Sequence, residues 1–325
     1  MHPSEVLFQG KSLPIAIPVC DHYAGSEKLM RKSLRLQQEL GPIFDITFDC
    51  EDGAKHGDEA THAQLIGELI ASDENQFARI GVRVHDIDSE FFEPDVALIT
   101  KYAAQQLAYL VLPKVSSVAQ VKTAITLVNR HTKTHGRSNK LPIHVLIETH
   151  GALTDAFAIA ALPQVECLSF GIMDFVSEHY GAISGNAMRT PGQFTHPLVV
   201  RAKLEIAAAC HAHGKIPSHN VTTEIVDTSV VASDAHRATT EFGYTRMWSI
   251  HPDQIKPIVK ALSPRASEVS EAVAILTQAQ AEQWGPIQRN GKLHDRASYR
   301  YYWTILQRAK SGGMALPESA AIFYN

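Results

Sequence analysis

The sequence has few cysteines and no long apolar run. Its 325 residues include four cysteines, at positions 20, 50, 167 and 210, whose spacing matches neither a disulfide framework nor a paired metal-binding motif. Reduced thiols in the core of a cytoplasmic protein are therefore expected. No apolar stretch is long enough to span a bilayer, and no apolar signal-peptide segment opens the chain. These absences argue against a membrane protein and against a disulfide-bonded secreted one.

An excess of basic residues is also lacking. The chain has 30 lysines and arginines against 34 acidic residues, a net charge of −4, and its basic residues are scattered. This argues against nucleic acid or an anionic membrane as the main partner. Histidine is abundant, with 17 residues, but no pair within the motifs described below has the ligand spacing of a zinc site. Apolar residues make up 45% of the chain, which is enough for a sizeable core.

Short apolar segments alternate with amphipathic ones along most of the chain. Eight predicted strands alternate with eight predicted helices, which is typical of a (β/α)8 TIM barrel. The alternative is an open doubly wound α/β sheet, whose glycine-rich first turn, G-x-G-x-x-G, is missing here. The predicted strands are 13–19, 43–48, 80–84, 107–112, 143–147, 165–170, 215–218 and 245–250, and the predicted helices are 27–40, 61–71, 95–105, 118–128, 153–161, 198–213, 227–242 and 253–262.

Both ends of the chain fall outside this alternation. Residues 1–11 include E-V-L-F-Q-G, which resembles a viral protease site used in expression tags, so we expect 1–11 to be a tag remnant or a disordered segment. The barrel is predicted to span 12–263, since a Ser-Pro pair then interrupts the pattern. Residues 264–325 are predicted to form a C-terminal helical extension and lid, with helices at 268–284 and 297–309 around a glycine-containing loop.

Two acids follow two consecutive predicted strands. Glu148 closes the strand at 143–147, and Asp174 follows the strand at 165–170. In a parallel βαβ unit both strands end at the same edge of the sheet, so the two carboxylates are expected to be neighbours. Neighbouring carboxylates repel each other unless a cation or a proton lies between them. Mg²⁺, which one or two carboxylates hold together with substrate oxygens and water, resolves this repulsion most simply.

Charged residues follow most of the other predicted strands. Enzymes with this fold place their chemistry at the C-terminal ends of the strands. The charges therefore predict an anionic rim around a metal, with two cations as counter-charges. The arginine could instead form a buried ion pair with Asp49 or Asp86. The residues are Asp49, Glu51 and Asp52 after the second strand, Arg83 in the third and Lys114 after the fourth.

Several short motifs resemble those of a known family. The chain is similar to the citrate lyase beta subunit and malyl-CoA lyase group, within the pyruvate/phosphoenolpyruvate barrel superfamily. The resemblance covers nearly the whole chain from residue 12. It rests on F-D-C-E-D-G at 48–53, R-V-H at 83–85, L-P-K-V at 112–115, I-E-T at 147–149, G-I-M-D-F at 171–175, I-H-P-D-Q-I at 250–255 and G-K-L-H-D at 291–295.

The resemblance implies a Mg²⁺-dependent carbon–carbon lyase. Such an enzyme cleaves a 3-hydroxy-acyl thioester into a 2-keto acid and an acetyl-type thioester, and works as a homotrimer or hexamer. Mg²⁺ would be held by Glu148 and Asp174 and would chelate the substrate carboxylate and the adjacent oxygen. The other implied roles are substrate binding by Arg83, Gly171, Ile172 and Met173, organisation of Lys114 or a water on the metal by Glu51 and Asp52, and general acid/base action by Asp295 on a lid.

The sequence departs from the family where basic residues approach the coenzyme A phosphates. It has Ser-Leu-Pro at 12–14 and G-D-E-A-T-H-A at 57–63, where the family has basic residues. A polyphosphate ligand would bind more weakly to such segments. The acyl carrier could therefore be coenzyme A, a carrier protein or none. Two alternatives stay open: a metal-dependent aldolase that acts on a free hydroxy-keto acid through a pyruvate enolate, and a non-catalytic barrel that binds a carboxylate.

Overall fold

The structure is a computed structural model that describes residues 2–8, 15–54 and 57–324. The chain divides into two compact units. One unit comprises Val19–Leu262, and the other comprises Met1–Pro18 together with Ser263–Asn325. In the described part of the chain, no helix combines the length and the apolar character needed to cross a membrane.

The first unit is a closed barrel of eight parallel strands, which confirms the predicted fold class. Neighbouring strands pair in chain order, and β1 pairs with β8 to close the ring. All but three of the 37 strand residues are buried, as expected for a parallel sheet that is covered by helices. The strands are β1 (Cys20–Ala24), β2 (Phe44–Asp49), β3 (Ile80–Arg83), β4 (Leu110–Leu112), β5 (Ile143–Ile147), β6 (Val165–Phe170), β7 (Ile216–His219) and β8 (Arg246–Ser249).

Helices follow every barrel strand and pack an apolar face on it. Several begin with a side chain that caps the free backbone N–H groups, as Ser26 does by accepting a bond from Leu29 N. The helices are α1 (Pro3–Phe8), α2 (Glu27–Leu40), α3 (Glu59–Ala71), α4 (Phe92–Ala103), α5 (Val118–Thr134), α6 (His150–Thr154), α7 (Ala156–Ala160), α8 (Ile172–Ser177), α9 (Pro197–Ala212), α10 (Thr228–Phe242), α11 (Pro252–Leu262), α12 (Ala266–Ala281) and α13 (Arg296–Ser311).

A polar network fills part of the barrel interior. Arg246 on β8 donates to Asp45 on β2 over 2.6 Å and lies 3.2 Å from Asp21 on β1. Thr47 bonds to both Asp21 and Tyr109, at 2.7 and 2.8 Å. Because these contacts join strands that are not all neighbours, the side chains must point into the barrel. Each buried charge has an opposite charge beside it, which burial in a region of low dielectric requires.

The first strand was predicted at the wrong place. The prediction put it at 13–19, where residues 13 and 14 lie outside the described residues, but β1 is Cys20–Ala24. The prediction rested on the apolar residues before Cys20, although the prolines at 14 and 18 have no backbone N–H group to donate to a neighbouring strand. The true strand contains Asp21 and His22, which look like loop residues in sequence. Both side chains are buried, where Asp21 pairs with Arg246 and His22 forms a hydrogen bond with Ser249.

Two further local predictions need correction. The helix predicted at 153–161 is two short helices, α6 and α7, which meet at Asp155. The loop predicted at 285–295 contains an antiparallel hairpin of β9 (Ile287–Arg289) and β10 (Lys292–His294). Its turn is Asn290-Gly291, and both residues have positive φ, of 48° and 73°. Asn-Gly is the usual sequence of such a turn, so the signal was present in the sequence.

The N-terminal segment is ordered rather than disordered. Pro3–Phe8 forms a helix, and its Val6 and Leu7 are buried in an apolar cluster that includes Trp303 and Phe323. His2 bonds to the carbonyl oxygen of Phe323 at 2.9 Å. The apolar side chains of this helix pack in the core of the second unit, and the origin of residues 1–11 in an expression tag stays a prediction. Residues 9–11 lie outside the described part of the chain.

Gly81 on β3 tests how tightly the barrel interior is packed. A Cβ atom at this position would lie 2.1 Å from the Tyr109 ring, which is held by hydrogen bonds to Thr47 and Asp21. We expect Gly81→Ala to lower the free energy of unfolding by ~1–3 kcal/mol, as overpacking does. Gly185→Ala is the matched control, since its Cβ would meet no atom within 4 Å, and its effect should stay within ~0.5 kcal/mol. Equal effects of both changes in chemical denaturation would contradict this packing.

Candidate active site

A cavity of about 360 Å³ opens at the C-terminal ends of the barrel strands. Acidic and apolar side chains share its wall, with Arg83 as its cation. The cavity brings together most of the residues that the sequence singled out, from segments far apart in the chain. Its lining consists of Tyr23, Gly25, Leu29, Asp49, Asp52, Gly53, Arg83, Glu148, Phe170, Gly171, Ile172, Met173, Asp174, Val221, Trp248 and Ile250.

Glu148 and Asp174 both line this cavity. Glu148 follows β5 and is 2% exposed, and Asp174 lies in the first turn of α8, after β6. Glu148 Oε1 accepts a bond of 2.6 Å from the backbone N–H of Lys114. Gly171 allows the close approach on the other side, because a Cβ there would lie 2.1 Å from Glu148 Oε2. The G-I-M-D motif therefore supplies both the space for Glu148 and the second carboxylate.

The charge of Asp174 affects the ionisation of Glu148. Burial raises the pKa of Glu148 to about 8, and the charge of Asp174 adds to the effect, while the Lys114 N–H and Arg83 oppose it. Among the described residues, no group of three or more His, Cys, Asp or Glu side chains could hold a metal. Mg²⁺ needs only one or two carboxylates, since water and substrate complete its shell. The two carboxylates offer hard oxygen ligands, and a bound cation would relieve the unfavourable burial and repulsion of their charges. Both properties fit Mg²⁺.

Arg83 is anchored by two acids of the loop after β2. Its Nε and Nη2 atoms donate to the two oxygens of Asp49 over 2.8 and 2.6 Å, and its Nη1 lies 2.9 Å from Glu51. Burial disfavours the charged form, but the attraction of Asp49 outweighs it and raises the pKa of Arg83 above its usual value. The alternative of a buried ion pair with Asp49 is therefore what the structure shows. A guanidinium has more N–H groups than these contacts use.

Lys114 joins the same acids from the loop after β4. Its Nζ lies 2.5 Å from Glu51 and 3.1 Å from Asp52. Burial lowers the pKa of Lys114, but hydrogen bonding to Glu51 and the charges of both acids raise it above the usual value overall. Its φ of 47° is unusual for a residue with a side chain and turns the backbone N–H toward Glu148. Lys114 therefore links the acids after β2 to the carboxylate after β5.

Asp49 has a larger part than the sequence indicated. Besides its ion pair with Arg83, it accepts hydrogen bonds from the backbone N–H groups of Glu51 at 3.0 Å and Gly53 at 2.9 Å. These bonds and Arg83 offset its burial and lower the pKa of Asp49, so it stays charged. The F-D-C-E-D-G motif was the available signal, because it places an acid two residues before Glu51. The cavity residues Tyr23 and Trp248 carried no signal in the sequence.

Asp295 belongs to the second unit, where it begins α13. Its Oδ1 accepts bonds from Ala297 N at 3.0 Å and Ser298 N at 3.3 Å, which is the geometry of a helix N-cap. The side chain of Ser298 bonds back to the backbone N–H of Asp295 at 3.1 Å. Asp295 therefore has a structural role as the cap of α13. Its acid/base role stays a prediction.

The raised pKa of Glu148 makes stability depend on pH in the metal-free protein. Between the ordinary carboxyl pKa of the unfolded chain and about 8, the folded protein holds a proton that the unfolded chain has lost. We therefore expect the free energy of unfolding to fall as pH rises through this range, with a contribution from Glu148 of up to ~1.4 kcal/mol per pH unit. Chemical denaturation in chelator from pH 5 to 9 measures this. Glu148→Gln should have a shallower slope than the parent, and identical slopes would contradict the assignment.

Comparisons with known proteins agree with this geometry. Residues 44–252 match the HpcH/HpaI aldolase/citrate lyase family. A crystal structure of a citrate lyase from Burkholderia xenovorans LB400 is 56% identical and covers 99% of both chains, with a TM-score of 0.86. An L-malyl-CoA/beta-methylmalyl-CoA lyase from Cereibacter sphaeroides is 28% identical over 278 residues, which is 82% of this chain and 87% of that one.

A more distant structure shares the fold. The protein CitE from Mycobacterium tuberculosis, in complex with magnesium, acetoacetate and coenzyme A, is 21% identical, with a TM-score of 0.66. It covers 92% of this chain and 100% of that one. The resemblance drawn from the motifs is confirmed by the family match and by the 56% identical structure. The chain belongs to the HpcH/HpaI aldolase/citrate lyase family.

Proposed function

We propose that this protein is a Mg²⁺-dependent carbon–carbon lyase that cleaves a 3-hydroxy-acyl thioester of the citryl, malyl or citramalyl type. The products are a 2-keto acid and an acetyl-type thioester. The observation that carries the proposal is the meeting of the buried Glu148 with the half-buried Asp174 in one cavity with Arg83. The named relatives support it, since two of them are lyases and a third binds magnesium and coenzyme A.

Glu148 and Asp174 would hold the metal. When bound, Mg²⁺ attracts the substrate carboxylate and the adjacent oxygen and offsets negative charge that develops there during bond cleavage. The backbone N–H of Lys114 fixes Glu148, and the missing side chain of Gly171 leaves room for it. The Glu148 carboxylate is therefore held in place before any ligand arrives, which reduces the cost of reorganisation.

Arg83 would bind and orient the substrate carboxylate. Because Asp49 and Glu51 hold the guanidinium, it can approach a ligand only with the donors that these acids do not use. Its rigid position favours one orientation of the substrate, and a fixed orientation lowers the entropic part of the barrier. Lys114 would add positive charge beside Glu51 and Asp52. Gly171, Ile172 and Met173 would contact the substrate from the start of α8.

Asp295 would exchange a proton with the acetyl-type carbon. As the carbon–carbon bond breaks, the substrate hydroxyl loses its proton and becomes the keto oxygen, and the electron pair of the broken bond moves onto the thioester fragment as an enolate, which must then be protonated at carbon. A carboxylic acid at this point supplies the proton, and in the reverse direction the carboxylate removes it. The family resemblance assigns this step to Asp295, either of the same subunit or of a neighbouring one.

The acyl carrier is proposed to be coenzyme A. The relatives named above support it, because one acts on malyl-CoA and another is complexed with coenzyme A. The acidic and histidine-containing segment at 57–63 means that other residues would meet the phosphates. We further propose a homotrimer or hexamer in the cytoplasm, as the resemblance implies.

The alternatives have weaker support. A non-catalytic carboxylate-binding barrel would not need Arg83 and Lys114 joined through Glu51 by ion pairs beside two carboxylates suited to a metal. An aldolase that acts through a pyruvate enolate would be expected to carry a histidine at position 52, where this chain has an aspartate paired with Lys114. We therefore rank both below the thioester lyase.

Removing either proposed metal ligand should abolish Mg²⁺ binding. Glu148→Gln and Asp174→Asn each keep the size of the side chain but remove a charge that a hard cation requires. Calorimetric titration with MgCl₂ measures the loss, and circular dichroism checks that the fold is retained. Glu205→Gln is the control, because Glu205 is a surface acid on α9 paired with Arg201. Mg²⁺ binding by both site variants at the affinity of the parent would overturn the proposal.

Asp295→Asn separates the acid/base role from the capping role. Asparagine caps helices about as well as aspartate, so this variant should keep the stability of the parent but lose turnover by a factor of ~10²–10⁴, typical of a lost general acid or base. Asp295→Ala should lose turnover and also ~1 kcal/mol of stability, because the cap is gone. Keto-acid binding should be unchanged in Asp295→Asn. Turnover of Asp295→Asn at the parent rate would exclude the acid/base role.

A further inference from the structure

Val221 is a cavity residue that the proposed mechanism does not use. It follows β7, is half-buried and lines the cavity. It also packs against an apolar cluster whose members come from β4, β5, β8 and the residue before β4. Because these strands surround the barrel interior, the isopropyl group of Val221 faces that interior. The members of the cluster are Tyr109, Val111, Leu146 and Trp248.

The backbone on both sides of Val221 is held by buried amide side chains. Asn220 donates to the carbonyl oxygen of Val221 and to Gln193 Oε1, in each case over 2.9 Å. On the other side, Gln254 donates to the carbonyl oxygen of Thr222 over 2.8 Å. None of the three amide side chains belongs to a residue more than 1% exposed. Val221 therefore lies on a rigid segment, and such support is what makes the shape of a binding site selective.

The order of the strands places Val221 opposite the proposed carboxylate-binding residue. Arg83 ends β3, and β7 lies four positions from β3 in the ring of eight strands. In a closed barrel, strands four positions apart face each other across the axis. The proposed metal ligands, Glu148 and Asp174, follow β5 and β6 between them. A keto acid with its carboxylate at Arg83 and its keto oxygen toward these ligands would direct the substituent on its keto carbon toward Val221.

The charges of the lining limit which substituent fits there. Among the described residues that line the cavity, Arg83 is the one cation, and Asp49, Asp52, Glu148 and Asp174 are acids. Three of the N–H groups of Arg83 already contact acids, so those that remain can bind one carboxylate. A second carboxylate, as in oxaloacetate, would meet no unpaired cation among these residues and would be repelled by the acids.

A methyl group matches the apolar side chain of Val221. Pyruvate carries a methyl group where glyoxylate carries a hydrogen atom and oxaloacetate carries a carboxymethyl group. Removal of a methyl group from water against an apolar side chain is favourable, and glyoxylate lacks this contribution. The keto acids pyruvate, glyoxylate and oxaloacetate are the products of citramalyl, malyl and citryl substrates, respectively. The cavity therefore distinguishes between the three substrate types that the proposed function leaves open.

We propose that Val221 is the specificity-determining residue for the keto acid and that it selects pyruvate, so that the thioester substrate is of the citramalyl type. The proposal rests on the proposed function, because Arg83 and the metal must first orient the keto acid. Cleavage of such a substrate turns its tertiary alcohol into the keto group of pyruvate, with loss of the hydroxyl proton. The electron pair of the broken carbon–carbon bond passes to the acetyl-type thioester, which then gains a proton at carbon.

The affinities of the three keto acids test this assignment. Dissociation constants of pyruvate, glyoxylate (counted as its unhydrated aldehyde) and freshly dissolved oxaloacetate are measured by calorimetry with the Mg²⁺-loaded protein. The parent should bind pyruvate about fourfold more tightly than glyoxylate, as burial of one methyl group allows. It should bind pyruvate at least about tenfold more tightly than oxaloacetate, because the second carboxylate is repelled.

Val221→Lys adds a cation where the second carboxylate of oxaloacetate would lie. It should therefore raise the affinity for oxaloacetate relative to pyruvate by at least about tenfold, a gain that a folding defect does not produce. Val221→Ala removes apolar contact without adding charge, so it should lose the preference for pyruvate over glyoxylate and still bind oxaloacetate weakly. Val226→Lys is the matched control, because Val226 lies in the same loop but is 88% exposed and outside the lining. It should keep the ratios of the parent.

The possible failures separate the two proposals. If the parent binds keto acids only in Mg²⁺ but binds oxaloacetate or glyoxylate as tightly as pyruvate, the selection of pyruvate is overturned and the proposed function is retained. A Val221→Lys variant that is folded by circular dichroism and keeps the ratios of the parent would overturn the role of Val221. If none of the three keto acids binds in a Mg²⁺-dependent manner, the proposed function and the selectivity are overturned together.

Discussion

The repulsion between the buried Glu148 and the neighbouring Asp174 is the constraint on which the rest of the site depends. Glu148 and Asp174 come from consecutive strands, so the parallel barrel brings them to one edge whatever else the sequence does. Burial and the neighbouring charge raise the pKa of Glu148 to about 8. Without a cation the protein must hold a proton or tolerate the repulsion. If Mg²⁺ binds here as proposed, the same two side chains would be its ligands, and relief of their repulsion would contribute to the affinity for the metal.

Around this pair, the protein fixes its cations with further acids. Asp49 is held by two backbone N–H groups and in turn holds Arg83, while Glu51 contacts both Arg83 and Lys114. The arrangement leaves little free positive charge, so the site is suited to orienting a small carboxylate rather than to attracting anions from a distance. This conclusion agrees with the net negative charge of the chain and with a relative that acts on a small acid joined to coenzyme A.

Local sequence patterns were sufficient for the features that depend on short segments. The buried strands β5 and β6, the helix Glu27–Leu40 and the convergence of Glu148 with Asp174 follow from periodicity and the rules of parallel sheets. The misplaced first strand shows the limit, because Asp21 and His22 become strand residues only when Arg246 and Ser249, more than 220 positions away, meet them inside the closed barrel. The pairing of Arg83 with Asp49 and the stack of Tyr23 on Trp248 depend on tertiary contacts in the same way. The family motifs identified the site, and the three-dimensional structure was needed to determine how its charges pair.

The most direct test of the central claim is calorimetric titration of the protein with glyoxylate, pyruvate and oxaloacetate, in Mg²⁺ and in chelator, each repeated with acetyl-CoA present. If Glu148 and Asp174 form the metal site of a thioester lyase, at least one keto acid should bind only in Mg²⁺, and acetyl-CoA should strengthen that binding. Keto-acid binding that is as tight in chelator as in Mg²⁺ would contradict the account. Mg²⁺-dependent binding that is indifferent to acetyl-CoA would retain the metal site and contradict the thioester substrate.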